Sequence, residues 1–238
     1  MNEFIRTELI LGKETIEKLS KARVAVFGVG GVGGYAIEAL ARSGVGTLDL
    51  IDNDTVSESN INRQIIATRK SVGLSKVEVM KQRILDINPN AVVNTYNCFY
   101  LPDKKDLFEF EKYDYIVDVI DTVTAKIDII CEAKKLNVPI ISAMGCGNRL
   151  DPTKVTITDI YKTSGDPLAK IMRKELKDRK IEKLDVVYST EKPLKPLYNI
   201  SDDNNPNRRG IPGSTAFVPP AAGLAIAYFV VKKICDIK

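Results

Sequence analysis

The sequence predicts an α/β fold with a doubly wound, mostly parallel sheet and a C-terminal α+β extension. Apolar segments of strand length alternate with segments of helix length over residues 1–165, which is the order that builds a parallel sheet. The first strand is joined to its helix through a cluster of glycines. Residues 166–238 instead contain a basic helix, a polar loop and an apolar helix, so we expect them to pack on the first domain as an extension.

The other elements follow from local patterns. Residues 4–19 predict a helical lead-in that Gly12 interrupts. Asp118 stands inside an apolar strand, where a buried carboxylate is costly without hydrogen bonds, so we expect it near the end of the sheet. The sequence further predicts strands over 47–51, 91–96, 115–121, 139–143, 153–159 and 186–189, and helices over 75–87, 104–112, 125–136, from 167 onward and over 221–235.

The glycine cluster follows a short apolar strand, residues 24–27, and precedes a helix over 35–42. In this context the spacing G-x-G-x-x-G is typical of a Rossmann-like nucleotide-binding turn. Its glycines permit the turn, let backbone approach a phosphate and let the helix pack on the strand. We therefore predict a nucleotide site, with a purely structural turn as the alternative. The glycines are Gly28, Gly30 and Gly33, with Gly31 in the same turn.

Polar residues after the second predicted strand extend this site. Asp52 follows the glycines at the spacing where the fingerprint places a carboxylate for a ribose hydroxyl. The polar stretch 53–64 is longer than an ordinary connection and leaves the carboxyl end of a strand, where open α/β sheets bind ligands. A solvated connector is the alternative. Lys76 lies in a first helical turn, against the preference of the helix dipole, which an anionic ligand would offset.

The composition excludes several kinds of chemistry. The chain has no histidine, the commonest general base and metal ligand, and its four cysteines form no C-x-x-C pair of the kind that binds zinc. The net charge of +4 allows a polyanionic partner without requiring one. No secretory leader pattern opens the sequence, so we expect a cytoplasmic protein. The apolar run 215–231 contains too short a helix for a membrane span and predicts a buried core helix.

A basic helix is predicted after Asp166 and Pro167, which suit the N-cap and the first helical position. It is interpreted either as an amphipathic helix with a solvated face or as a contact surface for the phosphates of a nucleic acid. Residues 191–211, rich in proline, asparagine and charge, predict a long mobile loop. The candidate nucleic-acid contacts are Lys170, Arg173, Lys174 and Lys177.

Five separate segments resemble, in order and spacing, the ubiquitin-activating-enzyme-like superfamily, whose members adenylate a carboxylate with ATP and Mg²⁺. They are the glycine turn, Asp52, Asn60 with Arg63 and Gln64, Lys76, and Asp121.

The resemblance implies a role for all of these residues except Gln64. The glycine turn and Asp52 would bind the phosphates and ribose of ATP, and Arg63 and Lys76 would be catalytic phosphate clamps. Asp121 would be catalytic as the magnesium ligand. Two further contacts to the nucleotide are implied, one from Asn60 near the phosphates and one from Arg6, donated across a homodimer interface.

Further segments, 150–153, 159–163, 166–169 and 188–191, resemble the tRNA threonylcarbamoyladenosine dehydratase branch of that superfamily. The sulfur-carrier branch differs by its C-x-x-C zinc pairs and its acceptor cysteine, and Val186 stands where some relatives carry a cysteine. The dehydratase resemblance implies ATP-dependent activation of the threonyl carboxylate of the modified adenosine, followed by cyclisation with net loss of water. It implies a tRNA substrate, a homodimer and a sulfur-relay protein as a further partner.

Three other functions share the predicted nucleotide site. An adenylating enzyme for a ubiquitin-like sulfur-carrier protein would recognise a glycine-glycine tail instead of RNA. A dinucleotide-dependent oxidoreductase would bind nicotinamide or flavin cofactors and would not need Arg63. A nucleotide-sensing module would bind ATP without splitting it.

Overall fold

A computed structural model of the chain describes residues 2–198, 200 and 211–237. The strands are β1 Arg23–Phe27, β2 Thr47–Ile51, β3 Val92–Tyr96, β4 Tyr115–Asp118, β5 Ile140–Ala143, β6 Val155–Asp159 and β7 Asp185–Ser189. The α-helices are α1 Ile5–Leu11, α2 Lys13–Lys21, α3 Gly33–Arg42, α4 Lys76–Ile87, α5 Val123–Lys135, α6 Pro167–Asp178 and α7 Val218–Ile234.

The strands form one sheet in the order β3-β2-β1-β4-β5-β7-β6. Every neighbouring pair is parallel except β6 with β7, which is antiparallel. Strands β1 to β3 follow one another from the middle of the sheet to one edge, and the strands from β4 onward extend to the other edge. This order confirms the doubly wound α/β fold. Strand β7 belongs to the C-terminal segment yet lies inside the sheet, and the division into residues 1–165 and 166–238 stays a prediction.

Two apolar layers cover the two faces of the sheet. Helices α3, α4 and α7 pack on one face, and α5, α6 and the segment 100–113 pack on the other. Helix α7 crosses close to α3 because Gly223 has no side chain there; a Cβ at this position would lie 2.3 Å from the carbonyl oxygen of Val32. Most of its first turn and its inner face are buried, which confirms the predicted core helix. None of the helices in the described residues combines the length and apolarity that crossing a bilayer requires.

The starts of two helices follow the rules for capping. The Asp166 carboxylate accepts a hydrogen bond from the backbone N–H of Ala169 at 2.7 Å, and Pro167 is the first residue of α6, as predicted. Helix α7 begins at Val218, earlier than residue 221, because Pro219 and Pro220 fit a first turn, where no N–H is needed.

The predicted loop 191–211 falls partly on residues 199 and 201–210, which lie outside the described residues.

The predicted amphipathic helix over 104–112 is wrong. This segment forms two short 3₁₀ helices, Pro102–Leu107 and Phe110–Lys112. Phe108 lies between the two helices and Phe110 begins the second one, and both side chains turn inward against Phe27. Their ring centroids lie 5.6 and 5.8 Å, respectively, from that of Phe27. Since two aromatic rings at positions i and i+2 cannot both face the sheet from one α-helix, burial of both rings breaks the helix.

Candidate active site

A cavity of about 350 Å³ lies at the point of the sheet where the strand order reverses, outside the carboxyl ends of β1, β2 and β4. Ligands of open α/β sheets bind at such points. The cavity collects seven of the residues that the sequence predicted for the site: Gly28, Gly30, Asp52, Asn60, Arg63, Lys76 and Asp121.

The glycine turn at the floor of the cavity has little room for side chains. Gly28 adopts φ of +105°, which other residues rarely adopt, and a Cβ on Gly33 would lie 1.9 Å from the Gly28 carbonyl oxygen. Gly33 therefore supports the packing of α3 on the turn and does not itself line the cavity. Gly31 packs beside Pro219 and Arg63. A Cβ on Gly30 would meet nothing within 4 Å among the described residues, which leaves space for a ligand next to the backbone.

Asp52 links the second strand to the glycine turn. Its Oδ2 accepts a hydrogen bond from the backbone N–H of Val29 at 2.7 Å, and its Oδ1 accepts one from that of Asp54 at 2.8 Å. Burial raises the pKa of Asp52, and the nearby charge of Lys76 opposes that rise. Each carboxylate oxygen keeps a further lone pair, so the group can accept hydrogen bonds from two neighbouring hydroxyls.

Lys76 is the first residue of α4, and it is 95% buried at the positive end of that helix. Its Nζ lies 2.6 Å from Oδ2 of Asp54 and 3.9 Å from Oδ1 of Asp52. These two carboxylates offset both the unfavourable helix dipole and the loss of hydration. The arrangement places one positive charge in the cavity wall, and its partners there are protein carboxylates.

Asn60 and Arg63 lie in the loop after β2, in a short 3₁₀ helix and the turn that follows it. The Asn60 side chain accepts a hydrogen bond from the backbone N–H of Ser57 at 3.2 Å. Nη1 of Arg63 donates to the Ser59 carbonyl at 2.8 Å and to Oδ1 of Asn62 at 2.9 Å. Burial lowers the pKa of the Arg63 guanidinium. These contacts engage one of its three nitrogens, so Arg63 retains donors for an anionic ligand.

A buried ionic network lies at the end of β4, three residues before Asp121. Lys126 and Asp118 are both completely buried, with Nζ of Lys126 2.9 Å from Oδ2 of Asp118. The Ser142 hydroxyl donates to the same Oδ2 at 2.6 Å, and Lys126 also donates to the Ile120 carbonyl at 3.2 Å. Asp118 is the last residue of β4, so the prediction that it lies hydrogen-bonded at the sheet end is confirmed.

A model of the ThiF family matches residues 2–236 of the chain. The chain belongs to the ThiF family. It is 42% identical to tRNA threonylcarbamoyladenosine dehydratase of Bacillus subtilis, with 97% of this chain and 94% of that protein covered. It is also similar to the crystal structure of E. coli tRNA N6-threonylcarbamoyladenosine dehydratase TcdA in complex with AMP, with a TM-score of 0.89 at 34% identity. That match covers 98% of this chain and 94% of TcdA.

A second TcdA structure, in complex with ATP, has a TM-score of 0.88 against this chain at 34% identity and with the same coverage. These findings confirm the family resemblance drawn from the sequence. They also confirm the fold class, because both TcdA structures superpose over almost the whole chain.

The ThiF-family cavity also contains residues to which the sequence assigned no role. Asp54 pairs with Lys76, and Gln64 lines the wall beside Arg63. Phe99 and Tyr100 form an aromatic part of the wall, and the Tyr100 hydroxyl donates to Asp128 at 2.8 Å. The sequence signal for Gln64 was its place in the loop motif. The aromatic wall has no comparable signal, because it is assembled from a non-helical segment.

Two groups of predicted residues lie away from the cavity of this ThiF-family chain. Arg6 is exposed on α1 and is outside the set of residues that line the cavity. On α6, Arg173 donates to the carbonyl and hydroxyl oxygens of Thr163 and so ties the helix to the preceding turn. The exposed residues of the predicted basic face are Lys170, Lys174 and Lys177.

Proposed function

We propose that the chain catalyses the ATP-dependent dehydration of threonylcarbamoyladenosine in tRNA to its cyclic form. One observation carries the proposal. A glycine turn, a ribose-type carboxylate, two cations and a further carboxylate share one cavity, in a chain that aligns over 97% of its length with a tRNA threonylcarbamoyladenosine dehydratase. The ATP and AMP complexes of TcdA support ATP as the nucleotide.

The polar and charged groups that line the cavity are of the kinds that bind ATP with Mg²⁺. The space beside Gly30 admits a phosphate next to backbone N–H groups, and Asp52 has lone pairs for ribose hydroxyls. Arg63 and Lys76 would neutralise the phosphates. Asp121 would hold Mg²⁺ together with phosphate oxygens, since this ion is usually bound by one or two carboxylates and the phosphates of a substrate.

The reaction needs an activated carboxylate. The threonyl carboxylate would attack the α-phosphate of bound ATP and release pyrophosphate, which converts a poor electrophile into one with AMP as a good leaving group. Arg63 and Lys76 would hold the phosphates in line with the threonyl carboxylate and stabilise the charge that develops there. Ring closure would then use the substrate's own carbamoyl group as nucleophile and release AMP, which carries away one carboxylate oxygen. It needs no enzyme thiol, in agreement with the burial that raises the pKa of Cys98, the cysteine in the cavity wall.

The tRNA would bind at the exposed lysines of α6, a positively charged surface that can contact phosphates without reading sequence. We propose a cytoplasmic homodimer in which Arg6 reaches the partner's cavity. Arg6 is exposed, and two apolar residues on the same helix, Leu9 and Ile10, are 80 and 83% exposed in the single chain. A second copy of the chain that packs on this helix would bury them. The sulfur-relay partner stays a prediction.

Mass spectrometry of nucleosides tests the proposed function. Threonylcarbamoyladenosine-containing tRNA is incubated with protein, ATP and Mg²⁺, then digested gently to preserve the labile ring. We expect the modified nucleoside to lose the mass of one water, only when ATP is present. Asp121→Asn should abolish this loss, whereas Asp103→Asn, which changes an exposed carboxylate outside the cavity, should preserve it.

An unchanged nucleoside, with folded protein that binds ATP, would contradict the tRNA assignment. Pyrophosphate exchange measured with a glycine-glycine-tailed carrier protein would then identify a sulfur-carrier adenylating enzyme.

A further inference from the structure

Arg149 is a buried arginine that connects three separate segments of the chain. It is 2% exposed, and each of its three guanidinium nitrogens donates a hydrogen bond within the protein. Nε donates to the Gly145 carbonyl at 3.1 Å, Nη1 to the Ser189 carbonyl at 3.0 Å and Nη2 to Oδ2 of Asp166 at 2.7 Å.

These segments meet at the edge of the sheet that holds the nucleotide cavity. Gly145 follows the end of β5, Ser189 is the last residue of β7, and Asp166 is the N-cap of the basic helix α6. Strands β4, β5 and β7 are parallel, so their carboxyl ends lie at one edge, and β4 leads toward Asp121 in the cavity. Arg149 therefore fixes the start of α6 at the edge where the nucleotide site lies.

The contact between Arg149 and Asp166 leaves little freedom of position. Asp166 is 3% exposed, and its Oδ2 lies 2.9 Å from the place where a Cβ on Gly145 would be. Its Oδ1 is engaged by the backbone N–H of Ala169. The buried apolar face of α6 holds the helix on the sheet, but hydrophobic attraction is non-directional. The directional bonds of Arg149 therefore set where the helix begins.

Stability alone does not account for this ion pair. Removing two charges from water offsets much of their attraction, so well-packed apolar residues often stabilise such a position equally well. What the planar guanidinium does supply is a fixed geometry between its acceptors. Fixed geometry matters here because α6 carries the exposed lysines to which the proposed function assigns the tRNA.

A bound tRNA must bring its modified nucleoside to the α-phosphate of ATP, and a misplacement of about 1 Å can cost about 10²-fold in rate. We propose that Arg149 is a positioning residue, which fixes the tRNA-binding face of α6 relative to the nucleotide cavity. Arg149 is buried and outside the set of residues that line the cavity, so it acts through Asp166. This inference rests on the proposed function, because it requires tRNA at α6 and ATP in the cavity.

The test compares the same substitution at two buried ion pairs. Arg149→Lys keeps the charge but replaces the planar fork with a single nitrogen. The matched control is Arg23→Lys, since Nη2 of Arg23 lies 2.7 Å from Oδ2 of the completely buried Asp49. Arg23 begins β1, at the amino ends of the strands and away from the cavity.

Four quantities are measured for each variant. Single-turnover dehydration at saturating tRNA and Mg·ATP gives the rate of the reaction. Filter binding gives the Kd of tRNA, and calorimetry gives the Kd of Mg·ATP. Thermal unfolding gives Tm, and all rates are measured well below the lowest Tm of the set.

We expect Arg149→Lys to slow dehydration at least about tenfold, while both Kd values stay within about threefold of the wild type. The flexible lysines of α6 can still reach phosphates from a displaced helix, so affinity changes less than rate. Arg23→Lys should keep the wild-type rate within about twofold, whatever its Tm, because it is remote from the site. Asp166→Asn keeps an acceptor for the Ala169 N–H but removes the charge. It should show the same pattern as Arg149→Lys, and it serves as the test if that variant does not fold.

A double-mutant cycle shows whether Arg149 acts through α6. The second change replaces Lys170, Lys174 and Lys177 with alanine, which removes the proposed tRNA contacts. The position of the helix then no longer matters, so in this background Arg149→Lys should lower kcat/KM by less than about twofold. An undiminished effect would overturn the inference, because Arg149 would then act on the cavity directly through the loop after β5.

Other results would also overturn the inference. An equal loss of rate in Arg149→Lys and Arg23→Lys would show a purely structural role. Weaker binding of Mg·ATP by Arg149→Lys, in proportion to its loss of rate, would place the effect at the nucleotide site. Wild-type protein that leaves the tRNA nucleoside unchanged would overturn the proposed function, and this inference with it. An active wild type with an equally active Arg149→Lys variant would overturn this inference alone.

Discussion

The ammonium of Lys76 lies 2.6 Å from the carboxylate of Asp54 in the wall of the cavity. This pair explains how a lysine is accommodated at the start of α4, where the helix dipole disfavours it. A phosphate entering the cavity would compete with Asp54 for the same ammonium. The ion pair therefore holds the cation at the site in the absence of nucleotide.

The variant Lys76→Met should lose activity while remaining folded. Removing one buried donor from a preorganised phosphate site typically costs about 10²- to 10³-fold in rate, so we expect dehydration of the tRNA nucleoside to slow by that factor. The measurement is single-turnover formation of the cyclic nucleoside. Lys81→Met, on the same helix but outside the cavity, should retain the wild-type rate. A Lys76→Met rate within threefold of the wild type would contradict the phosphate role.

The completely buried pair of Asp118 and Lys126 should be essential for stability. Lys126→Met leaves the Asp118 carboxylate buried without its cation, which typically costs about 3–5 kcal/mol in the free energy of unfolding. Urea denaturation at neutral pH measures this loss. Lys135→Met removes an exposed ion pair with Glu132 and should cost less than about 1 kcal/mol. Equal losses in the two variants would contradict the importance of burial.

Stability should depend on pH through Glu38, which joins α3 to α4. Burial disfavours its charge, but hydrogen bonds from Arg83 and Arg42 prevail and lower the pKa of Glu38. Its contribution is complete above the pKa of an unfolded glutamate, about 4.3, and is lost as the pH falls through the lowered pKa of the folded state.

We expect Glu38→Gln to lose about 1–2 kcal/mol in the free energy of unfolding at pH 7, since it loses charged hydrogen bonds. The difference from the wild type should shrink as the pH falls below about 4. Urea denaturation across this range measures it. The exposed variant Glu17→Gln is the control and should follow the wild-type curve. A Glu38→Gln deficit that is independent of pH would contradict the assignment to a charged carboxylate.

The exposed lysines of α6 should contribute to tRNA affinity without affecting the nucleotide site. The variant that changes Lys170, Lys174 and Lys177 to alanine should bind tRNA more weakly. The slope of the logarithm of the association constant against the logarithm of the salt concentration should be smaller in magnitude by up to about 2–3. Each phosphate contact releases about one counterion on binding, and the variant makes fewer such contacts. Filter binding over a range of salt concentrations measures this slope, and calorimetry should give an unchanged Kd for Mg·ATP.

The control for this experiment changes three exposed lysines elsewhere: Lys13, Lys21 and Lys70. It carries the same change in net charge as the α6 variant. Equal changes of slope in the two variants would show that net charge, and not the α6 surface, attracts the RNA.

Much of the site could be predicted because its residues lie where strands end. Gly28, Asp52 and Asp121 each follow a strand that periodicity identifies, and carboxyl ends of parallel strands meet at one edge of the sheet. The partner of Lys76 could not be predicted in the same way. Several carboxylates follow β2, and only the path of the loop decides that Asp54 makes the 2.6 Å contact.

The segment over 104–112 shows the limit of local pattern. Its many charged residues, with a few apolar ones among them, led to the prediction of a charged amphipathic helix, whereas packing of Phe108 and Phe110 around Phe27 requires a different backbone. The free energy gained by burying the aromatic rings exceeds the weak local preference for a helix. The aromatic wall of the cavity, Phe99 and Tyr100, precedes this segment, and Tyr100 packs against Phe108 with ring centroids 5.5 Å apart.

The sequence by itself determined the α/β class, the glycine turn and the family, because strand and helix periodicity and a few fixed spacings are local properties of the chain. Only the tertiary structure decided which groups meet. The burial of Lys126 against Asp118, the pairing of Lys76 with Asp54 and the inward turn of Phe108 depend on contacts between segments distant in sequence. Their energies arise from desolvation and packing, which no single segment contains.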